Sequence, residues 1–159
     1  MKRYSSAANL ALAVLVVLSL AGPLAAGEPV PFKGSLAGDV TVTGAPPILS
    51  AEVDGAGTAT QLGQFTVEIP HLVDVRFGTA AGTYTFTAAN GDKVYATFTG
   101  IATHTATPGV LYIEETATIT GGTGRFAGAT GSFSVERWYD MVAGTTVGSF
   151  EGTISAPGN

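Results

Sequence analysis

The stretch VLYIEETATIT-GGTGRFAGATG-SFSVERWYDM, residues 110–141, decides how this chain folds. In its first third Leu111, Ile113, Ala117 and Ile119 share one parity, and in its last third Phe133, Val135 and Tyr139 do the same. Apolar residues at every second position mark strands with one buried face. Between them lie eleven residues rich in glycine, too short for anything but a tight connection. Two antiparallel strands therefore run from Val110 to Thr120 and from Ser132 to Met141.

The same alternation extends in both directions. Leu36, Val40 and Val42 share a face with Gly34 and Gly38, and a second strand lies near Ile48 to Val53. The third places Phe65, Val67, Ile69, Val73, Val75 and Phe77 on one side, and Pro70 on the other parity predicts a bulge or an unpaired edge position. Strands four and five, Thr83 to Ala88 and Val94 to Thr105, flank Ala89-Asn90-Gly91. A three-residue loop with Gly91 left-handed sets Phe86 opposite Val94 and Tyr84 opposite Ala96, gathering more apolar side chains on one face than a two-residue turn does. Pro108-Gly109 leads into the sixth strand, and Thr146 to Ser155 forms the eighth.

The 159 residues include 22 glycines and 22 threonines, no cysteine and 12% charged side chains. That composition suits pleated strands and excludes disulfides and cysteine-based metal sites. Eight antiparallel strands make a sandwich or a closed up-and-down barrel of calycin type. Gly34 and Gly38 bracket Leu36, and Gly148 and Gly152 bracket Phe150, a small–large–small pattern at both ends of the chain that favours closure. Glycines that merely mark bulges are the other reading.

Lys2 and Arg3 precede an apolar run from Leu10 to Leu20, followed by Gly22-Pro23 and small residues, the layout of a cleaved secretory signal. The run is too short to span a bilayer. The expected division is a signal peptide over residues 1–26 and one barrel domain over 27–159, secreted or periplasmic. Cleavage leaves five basic residues against 12 acidic ones, which disfavours nucleic acid and anionic membranes and leaves no membrane partner expected once the signal is gone.

The loop Gly121-Gly122-Thr123-Gly124-Arg125-Phe126 is neither a phosphate loop, lacking the Gly-Lys-Ser/Thr ending, nor a calcium repeat, because Phe126 stands where an aspartate is required. It reads as a structural turn with Phe126 as a plug over the barrel end. With its flanking strands, Thr118 to Phe133, it resembles the allene oxide cyclase and dirigent-like barrel superfamily, which carries a Gly-Gly-Thr-Gly-x-Phe turn; the chain looks like a small secreted bacterial version. The resemblance implies an eight-stranded barrel, often trimeric, that binds hydrophobic ligands. No catalytic residue is carried over with it, since only the turn matches.

A loop symmetric about Phe126 pairs Ile119 with Phe133, Ala117 with Val135 and Glu115 with Arg137. A carboxylate and a guanidinium then face each other on the apolar, inward side, where an unpaired charge is costly. Either Arg137 anchors a ligand carboxylate or carbonyl while Glu115 orients it, or the two form a satisfied ion pair that binds nothing. A one-residue slip would bury Glu114 and Glu136 instead. Tyr84, His71, His104 and Tyr139 share the inward parity and join the candidate site. The two histidines are too isolated for a metal site, no Gly-x-Ser-x-Gly elbow is present, and no cofactor is implied. On the outward parity Trp138 faces Glu114 and Tyr112 faces Asp140, near Ile101 and Tyr95, which suggests a homo-oligomer interface, trimeric by the resemblance.

Three functions follow: a non-catalytic barrel binding a small hydrophobic or amphipathic molecule; a cofactor-free isomerase or cyclase resembling allene oxide cyclase; or a structural barrel filled by Phe65, Phe77, Phe86, Phe98, Phe133 and Phe150. Lumen volume separates them: a cavity below about 300 Å³ is too small for typical ligand binding and favours the structural barrel.

Overall fold

The computed structural model describes residues 27–156, so the expected signal peptide and the last three residues lie outside the described part. The strands are β1 (Val30–Ala45), β2 (Ile48–Ala59), β3 (Gly63–Glu68), β4 (His71–Asp74), β5 (Thr79–Ala88), β6 (Lys93–His104), β7 (Val110–Gly122), β8 (Thr130–Asp140) and β9 (Thr145–Ser155). One 3-10 turn, Gly124–Phe126, interrupts the β7–β8 connection. Each strand pairs antiparallel with its neighbours in the order β1-β9-β8-β7-β6-β5, then β3 and β4, then β2, and β2 returns to β1. The sheet is closed. β3 and β4 are two halves of one strand: both pair with β2 and with β5, and the register is the same on either side of Pro70. Pro70 thus introduces no bulge: it lacks an N–H to donate, but its carbonyl still accepts from Thr83 N at 3.1 Å, and the barrel has eight strands.

Closure works as the glycine pattern predicts. Along the β1–β9 seam Phe32 faces Gly152, Gly34 faces Phe150 and Leu36 faces Gly148, so each large inward side chain lies across from a residue with no Cβ. The β5–β6 hairpin pairs Tyr84 with Ala96 and Phe86 with Val94, with Gly91 at φ 89°, the left-handed conformation the three-residue loop demands.

The β7–β8 register differs from the sequence expectation by two residues. Ala117 faces Phe133, Glu115 faces Val135 and Ile113 faces Arg137. The tight 3-10 turn moves the centre of the connection one residue before Phe126. A shift of two preserves parity, so the predicted inward set stays inward. On the outer face Trp138 faces Tyr112 rather than Glu114.

The two ends of the lumen are built differently. The end at which the chain enters β1 is filled by Phe32, Phe65, Phe86, Phe133 and Phe150, with ring centroids 5.1–6.1 Å apart, and Phe126 is buried beneath them as a plug. Phe77 takes no part in this filling. β4 ends at Asp74, so Val75 and Phe77 lie in the following turn and are exposed, although their parity placed them inside.

Candidate functional site

Glu115 on β7 and Arg137 on β8 both point into the lumen just above the aromatic cluster, and both are almost fully buried. They are diagonal neighbours, since Arg137 pairs with Ile113, and the length of the arginine closes the gap. Arg137 Nη2 donates to Glu115 Oε1 at 2.6 Å, and Nε donates to both carboxylate oxygens at 3.2 and 3.3 Å. Room for the pair comes from two glycines. Gly100 lies opposite Glu115, where an added Cβ would stand 2.6 Å from Glu115 Cγ, and Gly148 lies opposite Arg137, where it would stand 2.7 Å from the Arg137 Cα.

Tyr84 completes the cluster from β5, donating its hydroxyl to Glu115 Oε2 across the lumen. Its ring stacks on Phe86 at 5.4 Å and touches Phe98 and Phe133, so it belongs to the packed floor and not to open space. Burial first, and the Glu115 carboxylate second, push its phenol well above the ordinary tyrosine range, which keeps it a donor. Burial works against the charge of Arg137, but Glu115 outweighs it and the guanidinium is held more firmly protonated than usual. Among the described residues no enclosed side-chain polar atom lacks a partner. Among the described residues Arg137 Nη1 donates to no protein acceptor, and Arg137 forms part of the floor of the space above.

That space is an apolar cavity of about 260 Å³. Its wall includes Val40, Leu49, Ala51, Val73, Leu111 and Ile113, its floor is Glu115 and Arg137, and Val42, Val75, Ile101 and Met141 rim its open end. His71 and Tyr139 also line it, both half-buried. His71 Nδ1 lies 2.8 Å from the Ile69 carbonyl and its ring packs on Phe98 at 5.7 Å. Burial lowers its pKa, only partly countered by the Ile69 carbonyl. His104 is placed differently from its parity: it ends β6 beyond the rim, exposed, and lines nothing in the cavity. Of the six candidates, Glu115, Arg137, His71 and Tyr139 therefore share one cavity and Tyr84 supports it from below. The Tyr84–Glu115 bond had no signature in the sequence, because β5 and β7 are not neighbours and no pairing rule connects them.

The loop residues Gly121, Gly122, Thr123, Gly124 and Phe126 sit at the opposite end of the barrel. Lys93 N donates to Thr123 Oγ1 at 2.9 Å, and Gly124 has φ 57°. Among the described residues no group of acidic or histidine side chains has the arrangement of a metal site.

No protein-family model matches the sequence, and no curated protein matches it. By structure the chain is similar to the pterocarpan synthase dirigent protein GePTS1, with a TM-score of 0.57 and 11% identity over 82% of this chain and 91% of that one. The fold is a dirigent-like barrel. At so low an identity the likeness concerns backbone architecture, and the chemistry of this dirigent-like barrel rests on its own side chains.

Proposed function

We propose that this barrel is a non-catalytic carrier or receptor for a small hydrophobic or amphipathic molecule held in its lumen, with Arg137 as polar anchor. The observation that carries the reading is the apolar cavity floored by a guanidinium whose Nη1 donates to no protein acceptor among the described residues. At about 260 Å³ the cavity falls below the limit of about 300 Å³, which counts toward the structural barrel and against any ligand of ordinary drug size, so the ligand proposed is a small one. An apolar cavity of about 150 Å³ takes up benzene, so the space suits a single ring with a short substituent. The ligand is a neutral acceptor, a carbonyl or a hydroxyl: Glu115 already balances Arg137, and a ligand carboxylate would bring an uncompensated negative charge to the apolar floor of the cavity.

An isomerase resembling allene oxide cyclase has weaker support. Tyr84 is sealed under the floor, and both oxygens of Glu115 are engaged by Arg137 and Tyr84. The filled-barrel reading describes the aromatic half only. The proposal includes export by the N-terminal segment, checked by sequencing the N-terminus of the mature protein. It also includes self-association through Tyr112 and Trp138, whose rings lie 5.2 Å apart at an angle of 49° on the outer face, checked by light scattering.

The direct test is a titration of isotope-labelled protein with acetophenone, one ring bearing a carbonyl. Resonances of Arg137, His71 and Tyr139 shift while Phe86 and Phe133 stay, and Ala51→Phe, which fills the cavity wall, abolishes the shifts. Saturable shifts that ignore Ala51→Phe, or no shifts at all, would assign the ion pair a purely structural role.

A further inference from the structure

The mouth of the cavity carries a second feature, independent of what the lumen holds. Four connections surround it, residues 46–47, 75–78, 105–109 and 141–144. Their sequences are Pro-Pro, Val-Arg-Phe-Gly, Thr-Ala-Thr-Pro-Gly and Met-Val-Ala-Gly, so Arg76 is the one charged residue in all four. Arg76 Nη2 is bonded to Asp74 at 2.6 Å, and its guanidinium lies over the Phe77 ring at 5.3 Å. Asp140, at the foot of the last connection, accepts from the N–H groups of Val142 and Ala143 at 2.9 and 3.0 Å. The rim therefore carries the Asp74–Arg76 ion pair and the Asp140 carboxylate, a net charge of one negative on a chain whose net charge is −5.

The rim is also apolar. Phe77 is 70% exposed and Val142 87%. Val42, Val75, Ile101 and Met141 are exposed as well and line the cavity below, so the cavity and the outer rim are one continuous apolar surface. Of the eleven large apolar side chains exposed among the described residues, only Tyr95 lies toward the other end of the barrel. The sheet order places connection 75–78 across the opening from connection 141–144, with β6 and β7 between them on one side and β1 and β2 on the other. Phe77 and Val142 thus stand on opposite sides of a hollow.

We propose that this ring of turn tips docks the barrel on a zwitterionic lipid surface, Phe77 and Val142 entering the boundary between headgroups and acyl chains with the lumen open toward the lipid. Separated tips around a hollow cannot be close-packed by a rigid partner unless the partner also fills the hollow, whereas a fluid interface conforms to them. The acidic body opposes an anionic surface, while a rim with a single net negative charge meets little electrostatic barrier at a zwitterionic one. The barrel lies on the surface and does not cross it. Its outward positions include Thr97, Thr99, Thr116, Thr118, Glu114 and Glu136, where a spanning barrel carries an apolar band.

The test is flotation of the chain from Gly27 onward, which contains every strand of the closed sheet and omits the apolar run at residues 10–20, with phosphatidylcholine vesicles. The protein floats, and the fluorescence of Trp138, the sole tryptophan, shifts to the blue. Phe77→Asp with Val142→Asp lowers the bound fraction at least about tenfold, the effect of losing the burial of one large apolar side chain or more. Tyr95→Asp, toward the other end, binds as the parent does, and unchanged thermal unfolding shows that all variants are folded. Parent protein remaining in the soluble fraction, or a double variant that floats equally well, overturns the proposal. A dimer seen by light scattering that the double variant disrupts and vesicles do not compete away assigns the ring to a second copy, and overturns it also.

Discussion

Arg137→Met is the sharpest probe of how the lumen is held together. The substitution keeps much of the side-chain volume and removes the guanidinium, leaving the carboxylate of Glu115, fully enclosed, with the Tyr84 hydroxyl as its remaining partner. Breaking a buried pair from one side costs about 3–5 kcal/mol, against a total stability of about 5–15 kcal/mol for a domain of ordinary size. For a domain of this length that corresponds to a fall of roughly 10–25 °C in Tm. Replacing both partners, Glu115→Met with Arg137→Met, removes the stranded charge but leaves the Tyr84 hydroxyl without an acceptor, a cost of about 1–3 kcal/mol. Adding Tyr84→Phe removes that donor too, and the triple variant returns to within about 1 kcal/mol of the parent or exceeds it. Urea denaturation followed by Trp138 fluorescence and by circular dichroism measures the series, and the m-value stays constant if only the native state changes. The order of stability is parent and triple, then double, then single. An Arg137→Met protein within about 1 kcal/mol of the parent, or a triple variant no better than the single, would falsify the account of a closed three-residue cluster.

His71 makes stability depend on pH. Burial lowers its pKa in the fold, so between its ordinary value of 6.5 and the lower native value the unfolded chain binds more protons than the native one. Stability is full above pH 6.5 and falls as the pH drops through that window; urea midpoints at pH 7.5 and 5 differ for the parent and converge for His71→Gln. At the closing seam Gly152→Ala places a methyl 2.7 Å from Phe133 Cβ, and overpacking of this kind costs about 1–3 kcal/mol, read as a lower urea midpoint; a midpoint equal to the parent's would show that the seam gives way easily. Phe126→Ala removes the plug under the aromatic cluster and lowers stability by about 3–5 kcal/mol, while acetophenone still binds at the far end of the lumen. Lost binding together with lost stability would refute the separation of the two halves.

Much of the barrel was legible because a sheet with one dry face writes itself as alternation, and parity survives errors of register. The β5–β6 pairing was readable to the residue since Gly91 admits the left-handed conformation and the inward side chains then line up. The β7–β8 pairing was not, because an eleven-residue loop has no centre that composition reveals; the 3-10 turn over Gly124–Phe126 sets it. Glu115 and Arg137 still met, as parity was right and arginine is long enough to reach a diagonal neighbour. Alternation says nothing about where a strand stops. That is why Val75, Phe77 and His104, all of inward parity, emerged at or beyond the rim, and why the division of the lumen into a filled half and an open half was invisible until the strand ends were known.

The β1–β9 seam has a consequence for how the protein comes into being. Val30 lies opposite Ile154 and Asp39 opposite Thr145, so the ladder that closes the wall joins the two ends of the domain. Until the last strand is available, β1 and β8 each present an unpaired edge, and Phe32 and Leu36 lack the glycines that receive them. Such edges recruit other chains, and contacts between sequence-distant strands form slowly. No shorter fragment is a smaller barrel. A truncated chain lacking β9 leaves two unpaired edges and is expected to associate with other chains more readily than the closed barrel.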